Sequence, residues 1–244
     1  LDAADLTQMH GILAYDRTLT EVNMNMLNAD RITVMNSAFS WDENLTGLDL
    51  TPIRDAKLAD VGGLCSFCHS LQTITTGWTM RNVTTAWSMF YDCFNLTQID
   101  AQNWRFGKVN GIANIMRACR KLETLDVSQW DVSNATTSAY AFYQCYGLKT
   151  LDLSGWNTAK VTDMTDMFAL DSSLTQLDVS GWNTGKVTMF GGMFDGCAGL
   201  TQLDVSGWNT GKVTAFSGMF KECRRLTQLD VSGGDARIVT RLLV

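Results

Sequence analysis

The chain copies itself every 26 residues. From Leu174 it reads "LTQLDVSGWNTGKVTMFGGMFDGCAG", then "LTQLDVSGWNTGKVTAFSGMFKECRR", then "LTQLDVSGGDARIVT". Counting from the apolar residue before the aspartate as offset zero, the same frame runs through Val22, Leu48, Ile74, Ile99, Leu125, Leu151, Leu177, Leu203 and Leu229, with one residue missing after Ile74. A fixed period of this length marks a repeat architecture, in which no single unit can bury its own apolar side and neighbours must stack. The expected fold is therefore an α/β repeat solenoid over residues 1–244, a single domain of about nine coils. Residues 1–21 form a partial coil, 22–228 eight full repeats, and 229–244 a second partial coil.

Other columns agree with that frame. Offset five holds Trp104, Trp130, Trp156, Trp182 and Trp208, and offset twenty holds Cys68, Cys93, Cys119, Cys145, Cys197 and Cys223, with Asp16, Asp42 and Asp171 in the same column. Apolar residues at fixed offsets predict interior ladders, and the tryptophans and methionines are read as core rather than as a ligand platform. Within each unit "LTQLDVS" alternates, which predicts a short strand with Leu and Val inward and Gln, Asp and Ser outward. The later stretch, as in Val161, Met164, Met167 and Asp171, is spaced by three or four and predicts a short helical or turn segment, with Thr162 as its cap. The turn chemistry of "SGWNTGK" separates the two. Each coil is thus one short parallel strand plus one short helical or turn segment, and the strands would form one sheet.

The frame F-x-x-C-x-x-L-x-x-L-x-V, seen here as Phe220, Cys223, Leu226, Leu229 and Val231, resembles the 26-residue repeat of bacterial surface proteins, relatives of the BspA-like leucine-rich repeats. The resemblance covers essentially the whole chain and is strongest over 122–232; towards the N-terminus Ile53 and Leu27 stand where Trp is usual. It implies a leucine-rich-repeat-like fold and a non-catalytic adhesion or recognition role outside the cell or on its surface.

The stretch "GLCSFCHSL" contains Cys65, Cys68 and His69 in a C-x-x-C-H pattern, a haem-attachment signature and half of a zinc site. The repeat supplies a simpler origin, since Cys65 occupies the Phe column and Cys68 the Cys column. Haem needs an open pocket and a held axial ligand. Zinc needs four ligands, and His10 is the only other histidine. A Cys65–Cys68 disulfide is the remaining alternative. The other thiols are expected buried and mostly unpaired, because in-register side chains run parallel rather than facing each other. The aspartates in that column suggest a position facing backbone N–H groups. No cofactor is expected apart from calcium, for which an acidic column offers oxygen ligands.

That column is offset one: Asp49, Asp100, Asp126, Asp152, Asp178, Asp204 and Asp230. Asp100, Asp126, Asp152, Asp178 and Asp204 are a candidate ligand surface, against a plain solvated face moderated by the lysines at offset nine. A second candidate is aromatic, with Tyr15, Trp41 and Phe67 at offset nineteen of three successive coils, expected exposed and able to meet a sugar or a protein. Catalysis finds no convergent Ser, His and Asp set. A net charge of −6 argues against nucleic acid, and no apolar run is long enough to span a membrane. Both ends fall inside a coil, so further coils or further copies are expected there, in a longer protein. The expected partner is a protein or glycan at a cell surface. The rivals are a structural spacer or filament subunit and a carbohydrate-binding accessory module. Near-identity over 151–232 places specificity in the more divergent N-terminal half.

Overall fold

A computed structural model describes residues 6–24 and 31–232. Its strands are two or three residues long: β1 (Gly47–Asp49), β2 (Thr73–Thr75), β3 (Gln98–Ile99), β4 (Gln202–Asp204) and β5 (Gln228–Asp230). They pair in parallel and in the predicted frame, Leu48 opposite Ile74 opposite Ile99, and Leu203 opposite Leu229. The alternation faces as expected, with Leu203 and Val205 buried and Gln202 and Asp204 exposed. One continuous sheet does not form. Among the described residues the strands form two separate sheets, and in the strand column between them a bridge joins Thr124 to Thr150. Strands this short contribute few bonds per rung, and the turn after each aspartate stops them lengthening.

The larger ladder runs through the segment expected to be a short helix or a run of turns, and the turns are what forms. Among the described residues it contains no α-helix; the helical elements are two short 3₁₀ turns, Asp55–Lys57 and Ala101–Asn103, elsewhere in the coil. Alternate N–H groups point along the stack instead. Ile112, Asn114, Met116 and Ala118 donate to the carbonyls of Thr137, Ala139, Ala141 and Tyr143 at 2.7–3.0 Å, while Ile115, Arg117 and Cys119 donate back three residues within their own coil. An α-helix would use all of these donors internally and leave nothing for the neighbouring coil. The alternation requires left-handed backbone every fourth residue, at Asn114 (φ 57) and Ala118 (φ 61), at Gly63 (φ 61) and Phe67 (φ 63), and again at Gly192 (φ 62) and Gly196 (φ 71). Isolated parallel bridges flank the segment, as in Thr137 to Asp163 to Met189 to Ala215. Thr162 caps nothing; its hydroxyl donates to the Thr136 carbonyl of the preceding coil at 3.1 Å.

The interior is two parallel aromatic stacks. Trp156, Trp182 and Trp208 lie 6.2 Å apart within 5° of parallel, and Phe142, Phe168, Phe194 and Phe220 follow at 5.5–5.8 Å. Coils approach so closely that Gly199 is a sizing residue. A Cβ there would sit 2.5 Å from the Leu174 carbonyl oxygen and 2.7 Å from that of Ser172. Both obstacles are backbone. Gly199→Ala is therefore expected to destabilise by about 1–3 kcal/mol, read as a lower urea midpoint at unchanged slope.

Candidate functional site

The columns that meet solvent beside the turn segment differ from coil to coil. At offset nineteen Tyr15 is exposed, whereas Trp41 and Phe67 are half-buried rather than open. The reason is mutual stacking: Tyr15 on Trp41 at 6.0 Å and 10°, Trp41 on Phe67 at 4.0 Å and 16°. Ring faces are turned to one another, so the strip offers mainly edges to a ligand. All three residues have left-handed backbone, with φ of 69, 67 and 63°. A side chain there costs about 1–2 kcal/mol, and each stacked pair returns about 0.5–1.5 kcal/mol. The two nearly cancel, so stability alone gives no reason to prefer rings over the glycine found at Gly196. The same column is left-handed at Asp92, Ala118, Gln144, Leu170 and Glu222 too, so that backbone belongs to the repeat and not to the rings.

The strip continues where sequence reading did not follow it. Phe67 meets Tyr91 at 4.7 Å. At offset eighteen Tyr91, Arg117 and Tyr143 occupy three successive coils, and Tyr140 leans in from offset fifteen. The Arg117 guanidinium carbon lies 5.0, 4.9 and 4.8 Å from the rings of Tyr91, Tyr143 and Tyr140. Its Nη1 donates to Asn114 Oδ1 at 3.1 Å. Tyr140 lies beside Asp166, and burial pushes both the phenol and the carboxyl up from their ordinary values. Trp87 is 47% exposed and covers Gly62, where a Cβ would lie 3.1 Å from the indole. His69 is not simply solvent-facing. It stacks on Phe94 at 4.9 Å and pairs with Asp92 at 3.3 Å, a carboxylate shared with Arg120 at 3.7 Å. The available signal was the change of residue type along one column, from Ala14, Ser40 and Ser66 to Tyr91, Arg117 and Tyr143.

The acidic column is a solvated face whose aspartates bond the serines beside them. Asp126, Asp152 and Asp178 each accept from the N–H and hydroxyl of the serine two residues on, at 2.7–3.1 Å, and Asp204 accepts from the Ser206 N–H at 2.9 Å. That bonding holds the Asp152 carboxyl below its ordinary value. Asp100 is structural, taking the Thr76 and Gly77 N–H groups at 2.9 and 2.8 Å. The lysine column does not reach this face; Lys108 and Lys160 bond Asn82 and Asn134 at 2.6 Å. A groove of about 730 Å³ runs here over Leu151, Leu177 and Leu203. It is large but lacks aromatic anchors, and one oxygen of each rim aspartate is already engaged. Among the described residues no three His, Cys, Asp or Glu side chains converge to hold a metal ion.

The seven cysteines are free thiols, all buried but Cys223, which is half-buried. Cys65 and Cys68 lie at 0% exposure, in the core. Cys68, Cys93, Cys119, Cys145, Cys197 and Cys223 each donate Sγ–H to a carbonyl of the preceding coil, those of Phe39, Cys65, Phe90, Met116, Phe168 and Phe194, at 2.9–3.3 Å. Burial raises the Cys93, Cys119, Cys145 and Cys197 thiols, which makes them poor nucleophiles. Asp42 and Asp171 stand in the same column and accept instead, from the N–H groups of Asp16 at 3.0 Å and Cys145 at 2.8 Å. The tryptophans Trp104, Trp130, Trp156, Trp182 and Trp208 are all buried.

The sequence model of a family described as "Mycoplasma protein of unknown function, DUF285" matches residues 1–104, 59–157 and 138–241. No curated protein matches the chain. Among solved structures it is similar to a leucine rich cell surface protein from Faecalibacterium prausnitzii A2-165, with 19% identity over 96% of this chain and 72% of that one and a TM-score of 0.39. It is also similar to a leucine-rich repeat protein from Bacteroides ovatus ATCC 8483, with 15% identity over 85% of this chain and 56% of that one and a TM-score of 0.36. Among the described residues no helix is long and apolar enough to cross a membrane.

Proposed function

The chain belongs to the family of Mycoplasma proteins of unknown function, DUF285, and from that premise we propose that it is a non-catalytic recognition solenoid, working outside the cell or at its surface and binding a partner along its turn side. One observation carries this reading. From Leu125 to Ser232 the strand side keeps Leu-Asp-Val-Ser almost unchanged, while the solvent-facing turn columns change residue type and, over the N-terminal coils, gather Tyr15, Trp41, Phe67, Tyr91, Arg117 and Tyr143 on one strip. Tyr, Trp and Arg are the side chains that dominate binding energy at protein interfaces. A constant scaffold face beside a varied face is how a repeat protein separates stability from specificity.

A protein partner is favoured over a glycan, because sugars stack on ring faces and Trp41 and Phe67 cover each other's, Tyr15 at the end of the stack being the exposed ring. The test is a triple variant, Tyr15→Gly, Trp41→Gly and Phe67→Gly, glycine being the residue this column holds at Gly196 without strain. Wild-type and variant protein are applied to arrays of extracellular proteins and of glycans. The variant is expected to unfold in one cooperative transition and to lose the protein signal at least about tenfold. Equal binding by both forms, or binding to glycans alone, contradicts the proposal.

A further inference from the structure

The Arg117 site points to the chemistry of the partner. A guanidinium carries five N–H donors in a planar fork. Here one Nη donates to Asn114, and among the described residues no carboxylate lies within ion-pair distance of Arg117. Some exposed cations have acids, as Arg17 has Glu43, Lys149 has Glu123 and Arg224 has Glu222, while Lys108 and Lys160 meet asparagines. Arg117 is half-buried and held between tyrosine rings from the coils on either side, with a third ring against it. Its position is set before any ligand arrives, so binding loses little side-chain freedom. The rings also exclude water, which strengthens a charge-assisted bond to whatever reaches the fork.

We propose that Arg117, walled by Tyr91, Tyr140 and Tyr143, is the receptor for a carboxylate side chain of an acidic protein segment that lies along the aromatic strip. The proposal rests on the reading of the turn side as the recognition surface. The fork takes the two oxygens of a carboxylate in parallel. Of the neighbouring acids, Asp92 is held by His69 and Arg120, and Asp166 feels the Arg117 charge only from beyond ion-pair distance. From Arg117 the strip runs over Tyr91 and Phe67 to Trp41 and Tyr15. It presents ring edges, which suit apolar side chains of an extended segment. The ligand is then a peptide carrying Asp or Glu beside apolar or aromatic residues.

The test uses the whole chain, isotope-labelled, with acetate, glucuronate, and the blocked peptides acetyl-Leu-Phe-Glu-Phe-Leu-amide and its Gln counterpart as probes. The Arg117 Nε–H resonance and the Trp41 indole resonance are followed at constant ionic strength. Acetate is expected to move Arg117 saturably where chloride does not. The Glu peptide is expected to move both resonances and to bind at least about tenfold tighter than the Gln peptide, the worth of one charge-assisted bond. Arg117→Lys keeps the charge and removes the fork, and is expected to abolish that preference while the unfolding midpoint stays in place. Equal binding of Glu and Gln peptides overturns the proposal, as does an acetate shift no larger than that with chloride. Glucuronate binding as tightly as the Glu peptide overturns the assignment to protein. Failure here together with array binding that the triple glycine variant loses refutes the carboxylate and spares the turn-side reading; failure of both refutes each.

Discussion

Replacing Trp156 by alanine lowers stability by about 3–5 kcal/mol, the usual loss for a buried indole. Trp156 is stacked between Trp130 and Trp182 at 6.3 and 6.2 Å, so its removal leaves a void across three coils. The conservative change separates packing from hydrogen bonding. Trp156 Nε1 donates to the Val127 carbonyl at 3.2 Å, whereas Trp130 Nε1 is buried with no partner. Trp156→Phe therefore loses a bond that Trp130→Phe does not have. The first is expected to cost about 1 kcal/mol more than the second, and urea unfolding of the three variants measures both differences. Equal losses for the two phenylalanine variants would remove the hydrogen-bond part of the account.

The second large effect is a pH dependence written into the thiol ladder. Asp42 and Asp171 are fully buried, and one carboxyl oxygen of each has no partner. Burial pushes Asp42 up from 3.8 to about 6, aided by the Asp16 charge and opposed by the bond from the Asp16 N–H. Burial raises Asp171 further, opposed only by the Cys145 N–H. A folded-state value above the unfolded one means the native state holds the proton more tightly. The stabilising contribution is fully present below pH 3.8 and is lost as pH rises, through about 6 for Asp42 and higher for Asp171. The protonated acid then does what the thiols do in neighbouring coils, keeping a neutral group at the column. Asp171→Asn supplies a neutral side chain of the same shape at every pH. Below pH 3.8 it is expected to match the wild type; at alkaline pH it should be more stable by about 1–3 kcal/mol, the cost of a buried group left unsatisfied. Thermal midpoints of the two proteins from about pH 3.5 to about pH 9 check this. A wild-type stability that rises over that range relative to Asp171→Asn contradicts it.

The strand frame and the interior ladders were legible because a fixed period exposes every buried column at once, as with Leu203 opposite Leu229 and Trp182 against Trp208. The turn segment was not, because spacing by three and four is shared by a helix and by a run of turns with left-handed backbone every fourth residue. The distinguishing signal was present in Gly11, Gly63, Gly192 and Gly218, which recur at one offset of a stretch that a helix would not furnish with glycine. The aromatic strip was half legible. Tyr15, Trp41 and Phe67 fall in one column, but Arg117 meets Tyr140 from another, and only the fold brings offsets fifteen and eighteen together. The acidic column is the plain solvated face that stood against a ligand surface, its aspartates closing the turns beside them as Asp178 does on Ser180.

The most direct measurement compares two variants side by side for affinity to a protein found by array. One carries Trp41→Gly, Phe67→Gly and Arg117→Lys on the turn side; the other carries Asp152→Asn, Asp178→Asn and Asp204→Asn on the strand side, where asparagine preserves the serine turns. The account predicts that the first loses binding at least about tenfold while the second stays at the wild-type level. Loss in the strand-side variant with binding intact in the other would place recognition on the acidic face and contradict the account.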